Sequence, residues 1–216
     1  HCGFLPYLYK YGYNGPVYCS EPTSSVMTLL QSDYIDVTRK EGKVPPYSAE
    51  DISEVILHTI PLGYGEVTDI SPDVRLTLHN AGHILGSSIS HLHIGKGLHN
   101  IVYTGDFKYG PTALLQPASS YFPRVETLIM ESTYGGPDNF TPSREETESR
   151  FVGICNNILK GGKVLIPVPA VGRAQEILMV INKHMNEGDL LQVPVYIEGM
   201  IRETPGIHTA YPAHLQ

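Results

Sequence analysis

Residues 73–106 read DVRLTLHNAGHILGSSISHLHIGKGLHNIVYTGD. Apolar and polar residues alternate over 73–79, 88–94 and 100–104, the pattern of three half-buried strands. Gly95-Lys96-Gly97 joins the second strand to the third as a hairpin-type turn. His83 follows Gly82 in the loop between the first two strands, and the third strand ends at Gly105-Asp106. Two strand-end loops therefore offer an imidazole and a carboxylate. Loops held by a rigid sheet are where binding and catalytic groups concentrate.

Upstream, residues 16–20 form a short β-rich piece. Residues 21–40 suit an amphipathic helix through Val26, Leu29, Leu30 and Ile35. A Gly/Pro stretch, 42–47, separates it from a second helix, for which Ser48 and Asp51 form a capping box ahead of Ile52, Val55 and Ile56. Downstream, residues 127–130 read as a buried strand ending at Glu131. The rhythm then changes to β-α alternation. Ser143 and Glu146 cap a helix that runs to Gly161-Gly162, and 163–168 reads as a strand. A helix from Gly172 to about Glu187 and a strand over 193–197 follow. Such alternation predicts a parallel sheet covered on both faces. We place a domain boundary near Pro137, dividing the chain into 1–136 and 137–216; no closing element is evident after His208.

The composition is that of a globular α/β protein: 216 residues, 41% hydrophobic, with 21 glycines and 17 prolines. No run approaches the ~20 apolar residues of a membrane span. Three cysteines without a C-x-x-C pair argue against a disulfide framework and a zinc ribbon, and for a reducing, cytoplasmic setting. A net charge of −7 excludes a protein that grips nucleic acid through a broadly basic surface. An RNA substrate would need local cations and metal ions to offset its phosphates.

His83 and Asp106 are suited to a metal centre, since neutral imidazole and carboxylate both ligate first-row ions and a carboxylate can bridge two. Ten histidines also supply distractors. His91 and His93 share one face of a predicted strand; they read as a half-exposed strand face, with chelation as the minor alternative. His79 and His83 have the i, i+4 spacing of a helical pair, but Gly82 and the alternating Leu76 and Leu78 argue for a strand. His58, His99, His184, His208 and His214 carry no signal beyond their presence. Gly172-Arg173 could set backbone amides and a guanidinium near a phosphate at a helix start, or Arg173 could pair with Glu176. Tyr134, beside Glu131, could stack on a base.

The strings HCGFLP (1–6), AGHILGS (81–87), YTGDFKYG (103–110), ESTYGG (131–136) and PAVGRAQE (169–176) occur in this order. Together they resemble the β-CASP branch of the metallo-β-lactamase superfamily, and are most similar to the archaeal relatives of the cleavage and polyadenylation specificity factor endonuclease. The resemblance covers essentially the whole chain. It implies a four-layer αββα sandwich, present in part, with the start of an inserted β-CASP α/β domain. His1 matches the last histidine of the opening ligand motif, His83 a ligand of the first metal, and Asp106 the bridge between two zinc ions. Glu131 matches the acidic residue of the first β-CASP motif, and both Asp106 and Glu131 are expected to be catalytic. Arg173 and Tyr134 are the candidate substrate contacts.

The implied activity is hydrolysis of single-stranded RNA by a hydroxide held between two zinc ions, in RNA 3′-end processing or degradation. The implied partner is RNA rather than a membrane, with a homodimer as one assembly open to the complete protein. The family's remaining ligands are expected before His1 and beyond Gln216, so residues 1–216 alone are expected to lack a closed site and to be inactive. Two other readings stand beside this one: a metallo-β-lactamase-fold hydrolase of small substrates, and a non-catalytic scaffold subunit.

Overall fold

The computed structural model describes residues 2–216; His1, expected as a ligand, lies outside the described residues. A 3-10 turn, Cys2–Phe4, runs into helix α1 (Leu5–Lys10), and strand β1 (Val17–Ser20) leads directly into α2 (Glu21–Lys40). Helix α3 (Ala49–Leu57) starts at the expected capping box: Ser48 Oγ accepts the Asp51 N–H, and the Ser48 N–H donates to Asp51 Oδ2. That reciprocal pair satisfies two of the amides a helix start leaves bare. Met27, Val55 and Tyr9 pack α2, α3 and α1 into one cluster. Full burial of an aliphatic side chain is worth ~1.5–3 kcal/mol, so this small cluster fixes the three helices together.

Two strands then appear that alternation did not reveal, β2 (Thr59–Leu62) and β3 (Val67–Ser71). Strand β2 pairs in parallel with β1 as a separate two-stranded sheet. The three expected strands are present as β4 (Val74–Asn80), β5 (Ser88–Ile94) and β6 (His99–Tyr103). With β3 and β7 (Thr127–Ile129) they make a five-stranded mixed sheet in the order β3-β4-β5-β6-β7. Only the β6–β7 pair is parallel. Strand β7 is not the buried strand read from its composition. It lies at the sheet edge with Leu128 and Ile129 about half exposed, because among the described residues only β6 pairs with it.

The second half keeps its helices but not its strands. Helices α4 (Arg144–Leu159) and α5 (Arg173–Glu187) form as expected, with Ser143 Oγ capping the Glu146 N–H. The segments 163–168 and 193–197 belong to no sheet. A strand exists only through its neighbours' hydrogen bonds, and among the described residues neither segment has a ladder partner. Leu165 and Tyr196 stand nine-tenths or more exposed as a result. Beyond them, helix α6 (Thr204–Ala210) and a 3-10 turn, Pro212–His214, occupy a stretch where no element was expected. Tyr211 reaches back to the first half, its hydroxyl 2.9 Å from Ser25 Oγ on α2.

Candidate metal and RNA site

The loops after β4 and β6 meet at one end of the sheet. His83 Nε2 lies 4.0 Å from Asp106 Oδ2, with both side chains a little under half exposed. They face a cavity of about 430 Å³ whose wall also includes Cys2, Ser20, Thr23 and Ser88. The Cys2 carbonyl is fixed by the buried Gln31, whose Nε2 donates to it at 3.0 Å.

The His83 loop is built to hold one shape. Ser87 Oγ accepts the N–H groups of His83 and Ile84 at 3.0 and 3.2 Å, and Asn80 Oδ1 accepts the Gly82 N–H at 2.9 Å. Gly82 takes φ +64, and a Cβ there would lie 2.8 Å from both the Ala118 nitrogen and the Gln116 oxygen. The loop thus needs glycine for its turn and for the close passage of 116–118. Ser20 and Thr23 hydroxyls, at the start of α2, donate to the Gly86 carbonyl at 2.6 and 2.9 Å. Such fixed surroundings hold a metal-ligating group in register.

Glu131 supports the Asp106 loop from below. Its Oε1 accepts the Phe107 N–H at 3.3 Å, its Oε2 accepts the Thr133 N–H at 3.0 Å, and its own N–H donates to Thr104 Oγ1 at 3.3 Å. Hydrogen bonds with Thr133, ahead of the one from the Phe107 amide, hold Glu131 below the usual carboxylate range, against the opposing effect of burial. Glu131 is therefore an ionised bracket one residue from Asp106. Tyr134, three residues on, is largely exposed beside the turn that follows Glu131.

The second half touches the site through the start of α5. Gly172, the residue before that helix, has φ +86, and a Cβ on it would come 2.6 Å from Ile84 Cγ2. The first turn of α5, with exposed Arg173, is therefore packed beside the His83 loop. Arg173 does not pair with Glu176: Glu176 instead accepts the amides of Ala113 and Leu114 and lies 3.5 Å from Arg144. Among the sequence candidates, His83, Asp106 and Glu131 come together, Arg173 flanks them, and no contact ties Tyr134 to them.

Over its full 216 residues the chain is 56% identical to transcription termination factor FttA of Methanococcus maripaludis, and 58% identical to that of a Lokiarchaeum. It is also 58% identical to FttA of Pyrococcus horikoshii over 217 aligned positions. This chain belongs to the FttA family. The β-CASP metallo-β-lactamase resemblance of its motifs stands with that membership. No protein-family profile matches the chain. It spans about one third of the FttA relatives' length, 33–34% of each of these three.

The metal that FttA membership implies fits the donors at this site: one imidazole and one carboxylate converge on a walled cavity, and both are accessible. Among the described residues no third His, Cys, Asp or Glu closes a three-donor group around them. The one group of that kind among the described residues is His184, Glu187 and Asp189, at and just after the end of α5. There His184 Nε2 lies 3.3 Å from the Glu148 carboxylate and Nδ1 lies 3.3 Å from Asp189, so the ring cross-braces α4 and α5. Nothing in sequence spacing singles out that network, since Glu148 and His184 sit on different helices.

His91 and His93 are not half exposed. His91 is 1% exposed, its Nε2 is 3.1 Å from the Arg124 carbonyl, and Phe122 covers it edge-on. His93 sits between Thr77 Oγ1 and Asn100 Oδ1 at 3.1 and 2.8 Å. The segment after the Asp106 loop folds over this face, which strand alternation could not foresee. His91 Nε2 and both His93 ring nitrogens are thus engaged by protein groups. All three cysteines are free, and no described helix is long and apolar enough to cross a membrane.

Proposed function

We propose that the protein to which this segment belongs is a zinc-dependent ribonuclease acting on nascent RNA at transcription termination. The observation that carries this reading is the convergence of His83 and Asp106, 4.0 Å apart, on one cavity beside the Arg173 turn. The relatives bear the name of a transcription termination factor, which favours termination over RNA 3′-end processing as the setting.

In this reading residues 1–136 belong to a four-layer αββα metallo-β-lactamase domain and 137–216 to the inserted β-CASP domain. His1, His83 and Asp106 would hold zinc. Bound zinc supplies the Lewis acidity that phosphodiester hydrolysis at neutral pH requires. The chain's own residues do the rest. Ser87 and Asn80 hold His83 in place, and Glu131 holds the Asp106 loop through the Phe107 amide. Arg173 offers a guanidinium to a phosphate at the mouth of the site, and Tyr134 offers a ring to an unstacked base. A chain of net charge −7 would then bind RNA through such local contacts.

The test is turnover of a short single-stranded RNA against a lactam and a thioester by the complete, zinc-loaded protein. Cleavage of the RNA alone supports the reading. Hydrolysis of the small substrates with intact RNA would instead favour the small-molecule hydrolase, and activity on neither would favour a scaffold.

A further inference from the structure

A strap, residues 108–119, joins the second half of the chain to both candidate metal loops; it is gripped from α5 by the Glu176 carboxylate, and Gln216 also donates its N–H to the Leu114 carbonyl at 2.9 Å. Lys108 donates its N–H to the Ala81 carbonyl at 2.8 Å, which ties the strap to the His83 loop just after Asp106. The Ala118 N–H returns to the Lys108 carbonyl at 2.9 Å, and the Ser119 N–H reaches the Asn80 carbonyl at 2.8 Å. Asn80 Nδ2 donates to the carbonyls of Gln116 and Pro117 at 3.2 and 3.1 Å. The strap is thereby rigidly registered to His83 on one side and follows directly from Asp106 on the other.

Its outer turn is closed by Thr112, whose Oγ1 accepts the Leu115 N–H at 2.9 Å. The Ala113 and Leu114 amides of that turn point at α5, and the Leu114 N–H is shared at longer range with Thr112 Oγ1, 3.3 Å away. Ala113 N–H donates to Glu176 Oε2 at 2.8 Å and Leu114 N–H to Glu176 Oε1 at 2.9 Å. Both carboxylate oxygens are used, one amide each. Arg144 of α4 lies 3.5 Å from Oε2 and balances the charge. Glu176 is one helical turn from Arg173, so the grip fixes the height and rotation of the α5 N-terminus. Gly172 completes the contact by meeting Ile84, next to His83, without a side chain in the way.

We propose that Glu176 is a positioning residue: its grip on the Ala113 and Leu114 amides sets Arg173 against the His83 and Asp106 loops. The carboxylate touches neither metal ligand and acts through the strap. A neutral amide cannot replace it, because Gln offers one oxygen acceptor and turns an NH₂ toward the second amide. The role assigned to Arg173 rests on the nuclease reading; the registration of α5 does not.

Two measurements on the complete, zinc-loaded protein separate these levels. Amide hydrogen exchange compares wild type with Glu176→Gln. Faster exchange at 113–114 accompanied by faster exchange at 82–85 is expected; a change confined to 113–114, or none, would overturn the registration. Fluorescence titration of a short single-stranded RNA across salt concentrations then follows Glu176→Gln, Arg173→Ala and the double variant. Arg173→Ala should reduce the salt slope by about 0.7, the share of one phosphate contact on a single strand. Glu176→Gln should reproduce most of that loss, and the double variant should lose no more than Arg173→Ala alone. Additive losses, or a wild-type slope in Glu176→Gln, would overturn the proposal. Glu176→Asp, which keeps both acceptors on a shorter stem, should recover part of the slope. If the wild-type protein binds RNA without cutting any chemical substrate, the nuclease reading fails while the exchange result still decides the registration.

Discussion

Gly172 and Ile84 meet so closely that a methyl group on the glycine would lie 2.6 Å from Ile84 Cγ2. One residue belongs to the start of α5, the other to the loop that presents His83. Through this contact the second half of the chain abuts the candidate metal centre. Replacing Gly172 by Ala should cost ~1–3 kcal/mol, since φ +86 is a strained conformation for a residue with a side chain. Denaturation of the complete protein measures that cost. Because the loop must shift, the KM for RNA should rise as well, and an unchanged KM would mean the contact is only packing.

Asp106→Ala should reduce zinc content and bring RNA cleavage to background. The side chain is 45% exposed, so the fold should survive its loss with little change in melting temperature. Elemental analysis after dialysis, with a melting curve on the same sample, separates the two effects. Full zinc retention by the variant would remove Asp106 from the ligand set.

Glu131→Gln should spare more zinc than Asp106→Ala does, yet lower turnover by about 10–100-fold, the usual range for a residue that orients a metal ligand from outside. The loss comes from the Phe107 and Thr133 amides, each of which contacts a different oxygen of the carboxylate. Steady-state kinetics should show the change in kcat rather than in KM. A variant that loses zinc as readily as Asp106→Ala would make Glu131 part of the metal cage itself.

His91→Ala should leave zinc content unchanged but destabilise the fold by about 1–3 kcal/mol, because it strips the Arg124 carbonyl of its buried partner. Chemical denaturation and zinc analysis of the same protein check both halves of this statement. Zinc release would identify His91 as a ligand after all.

Burial, reinforced by the neighbouring His93, lowers the pKa of both His79 and His91 from the ordinary value of 6.5. Both rings are therefore kept neutral in the folded state at pH values where the unfolded chain takes up protons. Their contribution to stability is complete above about pH 6.5 and is lost as pH falls from there through the lowered folded values. Urea denaturation at pH 7.5, 6.5 and 5.5 should show a falling midpoint, with His91→Gln flattening part of the fall. An identical slope in that variant would assign the acid sensitivity to other groups.

The sequence by itself determined the local structure of the first half. Alternation fixed β4, β5 and β6, helical periodicity fixed α2, and Ser48 with Asp51 fixed the start of α3, since each depends on neighbours a few residues away. Ordered motifs pointed to the family through His83, Asp106 and Glu131. Sequence did not reveal that β7 is an exposed edge, or that 163–168 and 193–197 run without a ladder, because strand pairing is a long-range property. Burial of His91 depended on Phe122 and Arg124, which reach it only after the chain folds over β5. Only the tertiary structure decided that Glu176 serves the Ala113 and Leu114 amides rather than Arg173. Those groups lie more than sixty residues apart in the chain, and only the packing of α5 brings them together.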